Sequence, residues 1–195
     1  MSAYSDCYAL TVALIRRSSM QTLVDTQIRA AIRKGHRAGS FPRDVQTVTI
    51  SNLSTSDAIQ SVDLSSYCPR LRQLKAVKPT EYQDVWYHDV DLGDLLDQYG
   101  YAKTNVYWQV GSTLNVRAAA AVSSIDVYFL ALPDLTNLET CDDWVLVNHG
   151  DLVAHWAASS ILGILGEQEA KRGIDEMTKE FYEDLMEESV EIIGR

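Results

Sequence analysis

Few side chains here combine the right type and spacing for chemistry. His149, Asp151 and His155 are the closest grouping of metal-ligand types. On a helix, Asp151 and His155 stand one turn apart on one face and can share a metal ion. No third ligand is near them in sequence. The pattern better suits an acid in a helix's first turn, where it offsets the helix dipole, followed by an ordinary helical histidine. No metal or cofactor is therefore assigned. Glu187–Glu188 has the residue type for general acid–base work, but it belongs to an amphipathic run, and a solvated helix face supplies no pocket to shift a carboxyl pKa. The chain carries no GxxxxGK[ST], GxGxxG, GxSxG or HExxH pattern, which removes the common nucleotide, hydrolase and metalloprotease fingerprints. The expectation is a protein that is not an enzyme.

Charge and aromatic side chains say more. Arg29, Arg33, Lys34, His36 and Arg37 make a basic stretch in which Arg29 and Arg33 stand one helical turn apart, a shape that can meet phosphates. The stretch lacks interleaved aromatics and the chain's net charge is −10. Both facts argue against a general nucleic-acid binder and leave contact with DNA as a secondary role. The charge is unevenly placed: residues 1–43 carry a net +5 and residues 167–195 a net −6. A basic start and an acidic end can attract copies of the chain head to tail. Arg29, Arg33 and Arg37 of one copy are the candidate partners of Glu180 and Glu187 of the next. Tyr82, Tyr87, Tyr99 and Tyr101 lie in a stretch without clear periodicity, roughly 81–103, and read as a binding loop. Tyr107 and Trp108 suit a β core equally well. Cys7, Cys68 and Cys141 are widely spaced and form no CxxC pair; they read as reduced thiols.

The elements that must position these groups follow from hydrophobic period. At 195 residues, with 46% apolar and 23% charged residues, the chain can bury a sizeable core. No run reaches the ~18–20 apolar residues that span a bilayer, and the start lacks the basic-then-apolar order of a signal peptide, so a soluble intracellular protein with no membrane partner is expected. Tyr8, Val12 and Ile15 mark a first helix. Leu23, Ile28, Ala31 and Ile32 mark a second, ending near Gly35. From about Val45 to Leu132 the period shortens to two. Val48 and Ile50 alternate with threonines. Val106, Trp108 and Val110 alternate with Tyr107 and Gln109, and Leu114 and Val116 follow across Gly111–Ser112, a type II′ hairpin signature. Ile125, Val127 and Phe129 form a further strand, closed by Pro133. The 81–103 stretch holds at most one helical turn, around Leu92–Leu96. The helical period returns after Asp142. Leu152, Val153, Trp156, Ala157, Ile161, Ile164 and Leu165 form an apolar stripe broken at Gly163–Gly166. A last helix sets Ile174, Met177, Phe181 and Leu185 on one side and Asp175, Lys179, Glu183, Glu187 and Glu191 on a solvated row. The fold class is α+β: a helical bundle from the N- and C-terminal helices with an antiparallel β-rich insertion. The expected divisions are 1–44, 45–135 and 136–188, with a tail at 189–195.

Certain segments, in their order, are similar to the head-to-tail adaptor (connector) proteins of tailed bacteriophages. "IRAAIRKGHRAGSFPRDV" resembles the family's second helix, leading through an aromatic-Pro turn into strands. "VDLSSYCPRLRQLKAVKP" resembles its Asp-Leu/Ser start, Arg-rich centre and return strand. "VYWQVGSTLNVRA" resembles its hairpin and "SSIDVYFLALPDL" its following, proline-ended strand. "DDWVLVNHGDLVAHWAASSILGILGEQEAKRGIDEMTKEFYEDLM" is similar to its closing helix pair. The resemblance covers most of residues 20–190. It implies a structural virion protein, made in the host cytoplasm and placed at the head–tail interface. There a ring, dodecameric in the family, sits under the portal protein, extends the DNA channel past packaged DNA and presents a surface to a neck or tail protein. It implies that the C-terminal segment reaches the portal, here Val190, Glu191, Ile192, Ile193, Gly194 and Arg195, and that the β-insertion, with Tyr82, Tyr87, Tyr99 and Tyr101, faces the tail. Other readings of the same residues are a different neck or tail component, a DNA-binding factor using residues 29–37, and a metal enzyme using His149, Asp151 and His155.

Overall fold

The computed structural model describes residues 2–53, 59–82, 84–96, 102–120 and 122–189. About 47% of the chain is helix and 24% strand, an α+β fold with helices at both ends and sheets in the middle. In chain order the elements are α1 (Ala3–Ile15), α2 (Gln21–Ala38), β1 (Val45–Ser51), β2 (Ile59–Asp63), α3 (Leu64–Tyr67), β3 (Leu71–Pro79), β4 (His88–Asp89), β5 (Val106–Val110), β6 (Thr113–Arg117), β7 (Ser124–Ala131), α4 (Trp144–Asn148), α5 (Gly150–Leu165) and α6 (Gln168–Glu187). They form two compact units. One joins the chain up to Arg43 with the chain from Leu132 onward; the other runs from Asp44 to Ala131. Leu135 and Leu138 pack into the helical core, so the β unit closes at Ala131.

The helical unit is built around α5. Every residue from Leu152 to Ser159 is buried, because α1, α2 and α6 all pack against this helix. α2 buries Val24, Ile28, Ala31, Ile32 and Gly35, the i, i+4, i+7, i+8, i+11 series of one helical face. The helix runs through Gly35 to Ala38. Gly35 is a packing residue, not a terminator: a Cβ there would lie 2.7 Å from Val145 Cγ1. α1 turns Cys7, Thr11 and Ile15 inward, and the Thr11 hydroxyl is satisfied by donating to the Cys7 carbonyl at 2.8 Å. Phe41 ends the α2 turn buried beneath Trp144, with ring centroids 5.0 Å apart. α5 stops at Gly166, whose φ of +78° lets Glu167 N–H reach back to Leu162 O at 2.9 Å. Two positions depart from the expected stripes. Ile164 is exposed, and Met177 is 58% exposed while Thr178 takes the buried position. The inward face of α6 is set by Ile174, Thr178 and Leu185.

The β unit has two sheets, in strand order β1-β7-β3 and β2-β6-β5-β4. All pairings are antiparallel except β4 with β5. The two sheets feed one core. Ile50, Val77, Ile125, Val127 and Phe129 come from the first; Val62, Tyr107, Leu114 and Val116 come from the second. The β5–β6 hairpin turns at Gly111, φ +61°, while Ser112 keeps a negative φ, as a II′ turn requires. Register decides which side of β5 faces in. Tyr107 pairs with Val116 and joins the core face, while Trp108 pairs with Asn115 on the other face and is buried there. The described residues of the 81–103 stretch include β4 and one 3-10 turn, Leu92–Asp94.

Candidate functional site

The feature of the helical unit with the most chemistry is a groove between α2 and α6, floored by α5. One stretch of it, about 470 Å³, is lined by Ala30, Ala31 and Lys34 of α2, Trp156, Ser159 and Ser160 of α5, and Lys171, Asp175 and Thr178 of α6. The adjoining stretch, about 430 Å³, shares Lys34, Trp156 and Thr178 and continues past Arg37, Ala38, Lys179 and Tyr182. Ala30, Ala31, Ser159, Ser160 and Thr178 give this lining its small side chains. The floor is aromatic: Trp156 and Tyr182 stand 6.0 Å apart between ring centroids. The rim is cationic, with Lys34 Nζ 4.2 Å above the Trp156 ring.

Electrostatics differ along the groove. Burial lowers the Lys34 ammonium pKa, with the nearby Asp175 carboxylate opposing the shift. Asp175 is held below the usual carboxylate range by hydrogen bonds from Lys171 and Ser159. Ser159 Oγ donates to Asp175 Oδ1 at 2.5 Å, and Lys171 ion-pairs with the other carboxylate oxygen. A carboxylate stabilised in this way is a weak base for the serine it touches. The buried thiols are no better as nucleophiles: burial pushes Cys7 up to about 12 and Cys68 up to about 11. The groove is suited to holding an acidic, partly apolar chain segment.

Several expected site residues fall elsewhere. Arg29 is half-buried and its Nε donates to the Leu135 carbonyl at 3.0 Å, so it works inside the helical unit. Arg33 and Arg37 are exposed, as are Glu180 and Glu187. Arg37 lines the groove. Asp175 leaves the solvated row and faces α5. His155 donates from Nδ1 to the Asp151 carbonyl at 2.7 Å and lies against the Phe181 ring; His149 meets Glu188 at 3.1 Å. Among the described residues no group of three or more His, Cys, Asp or Glu is placed to hold a metal ion. No described helix is long and apolar enough to cross a membrane. In the β unit, Tyr82 is 51% exposed but Tyr87 is buried, its N–H bonded to Val77 O at 2.9 Å. Its neighbour Trp86 is exposed, its ring tilted against Tyr128 with Lys78 over both rings. Tyr99, Tyr101 and Val190–Arg195 lie outside the described residues. Sequence reasoning missed Trp156, Lys179 and Tyr182 as a group. Their only signal was the helical spacing of 179 and 182 beside the buried Thr178.

The chain matches no protein-family model and no curated protein.

Proposed function

We propose that this protein is a head-to-tail adaptor of a tailed bacteriophage. In this reading it is a non-catalytic ring protein that docks on the portal, continues the DNA channel and receives a neck or tail protein. The observation that carries the reading is the nesting of the two units. Both ends of the chain build one helical body, and a β unit with its own core is inserted between them, in the order the sequence resemblance implies. The helical unit serves the ring and the β unit the tail side, where exposed Tyr82 and Trp86 supply aromatic contact area. Ser189, the last described residue, packs beside Gly39, where a Cβ would meet its Oγ at 2.6 Å. The described part of the helical unit thus ends beside the C-terminal end of α2. Many modest contacts in a ring sum to firm attachment without any single strong site.

The test is to mix the protein with portal rings from the same source and image the product by electron microscopy, beside a truncation lacking residues 189–195. A collar of regular copies that is lost on truncation is the expected result. Folded protein that leaves the portal bare overturns the reading. A salt-dependent shift of duplex DNA by the same protein would then favour a DNA-binding factor acting through its exposed Arg33, Lys34 and Arg37.

A further inference from the structure

We infer that the groove between α2 and α6 is the receiving half of a contact between copies of this chain, and that its occupant is the acidic outer face of α6 of a second copy. The inference deepens the adaptor reading, and it rests on that reading for the closure of the contact into a ring.

Charge complementarity selects the occupant. Lys34, Arg37 and Lys179 surround the groove's aromatic floor. The chain as a whole carries −10, so copies repel one another unless opposite charges are brought together. The matching surface is on α6 itself. Glu176, Glu180, Glu183 and Glu187 are all exposed and follow the i, i+4, i+7, i+11 series, a single stripe about 16 Å long at 1.5 Å per residue. No comparable acidic row lies on α2, whose only acid is Asp25.

Geometry makes the contact directional. Positions 175, 179 and 182 run up the groove side of α6. Positions 176, 180 and 183 run up the outer side, one residue or about 100° further round. Donor and receiver are thus different faces of the same helix. Such a contact is heterologous: it passes from copy to copy and closes when the rotation permits. The small side chains of Ala30, Ala31, Ala38 and Ser160 along the groove let another helix approach closely. The aromatic floor gives the aliphatic stems of the incoming glutamates apolar surface to cover. This placement differs in part from the pairing expected from the sequence. The cations involved are Lys34, Arg37 and Lys179, not Arg29, which is engaged with Leu135.

The test uses two charge-reversed full chains, R37E/K179E in the groove and E180K/E187K on the stripe. All four side chains are exposed, and thermal melts verify that each variant is folded. Sedimentation velocity across a concentration series follows self-association at low and high salt. Electron microscopy follows collar formation on portal rings. Each variant alone is expected to associate about tenfold more weakly than wild type at low salt. An equal mixture regains association, because reversed groove meets reversed stripe and native groove meets native stripe. Folded variants that associate like wild type, or a mixture that regains nothing, overturn the inference. Variants that collar the portal as well as wild type sink the groove contact and leave the adaptor reading standing. Wild-type copies that associate through the groove yet never bind the portal do the reverse. Wild type that does neither overturns both.

Discussion

His36 Nε2 meets Asp143 Oδ2 at 2.8 Å, and both side chains are almost fully buried. The same carboxylate caps α4 through its other oxygen, accepting from Val145 and Leu146 N–H. Removing the imidazole takes this bond from Oδ2 in a low-dielectric interior, while Oδ1 keeps its two backbone donors. His36→Ala should therefore cost about 1–3 kcal/mol, read as a lower midpoint in urea unfolding; a loss under ~0.5 kcal/mol would show that the pair contributes little. Gly35 presents a second single-atom constraint. Alanine is the better helix former by about 1 kcal/mol, but the added methyl would collide with the fully buried Val145 side chain. Overpacking of this kind costs about 1–3 kcal/mol. Gly35→Ala is expected to destabilise the protein, and adding Val145→Ala should recover part of the loss rather than compound it. Strict additivity of the two changes in a double-mutant cycle would argue against the close contact.

The α5–α6 pair shows how an element's charge acquires a pH dependence. Asp175 has a folded pKa depressed by Lys171 and Ser159. A carboxyl depressed on folding stabilises the protein above its unfolded pKa of about 3.9. That contribution is lost as pH falls through the lower folded value. The Lys171–Asp175 pair is a partly exposed i, i+4 contact, so its worth after screening is about 0.3–0.5 kcal/mol. Asp175→Asn keeps an acceptor for Ser159 and removes the charge. Thermal melts should show a small loss at pH 7 and a shallower decline below pH 4. A variant whose pH dependence parallels wild type would place the acid sensitivity on other carboxylates.

On the scale of the molecule, each unit has its own buried cluster, and no residue is common to the two. Cooperative folding needs a contiguous apolar core more than it needs an unbroken chain. Residues 44–131 produced alone should therefore give a β-type circular dichroism spectrum and one cooperative thermal transition. A fragment that melts without a transition would show that its core depends on the helical unit. The helical unit is in the opposite position, because its core joins residues from both ends of the sequence. Cys7, Ile28 and Phe41 pack with Leu146, Ala157 and Leu185. Neither end alone carries enough of that core to fold.

Local pattern was sufficient for much of this. The 3.6-residue spacing of Ile28 and Ile32 and of Ile174 and Leu185, and the two-residue alternation of Val48–Ile50 and Ile125–Phe129, lay in the sequence because short-range geometry repeats along it. Gly111 marked its turn because few other residues tolerate positive φ there. From these came the α+β class and the order of its elements. What the sequence left open was every question of neighbourhood. Period identifies a face but not what lies against it. Gly35 read as a helix end until Val145, far along the chain, was found against it. Tyr87 read as a loop aromatic until backbone pairing with Val77 turned it inward. Thr178, one turn after the buried Ile174, takes the inward position on α6 and Met177 stays exposed. The groove of Lys34, Trp156, Lys179 and Tyr182 was least visible of all. Its residues come from three helices, and only tertiary packing, which brings together positions more than a hundred residues apart, assembles them into one surface.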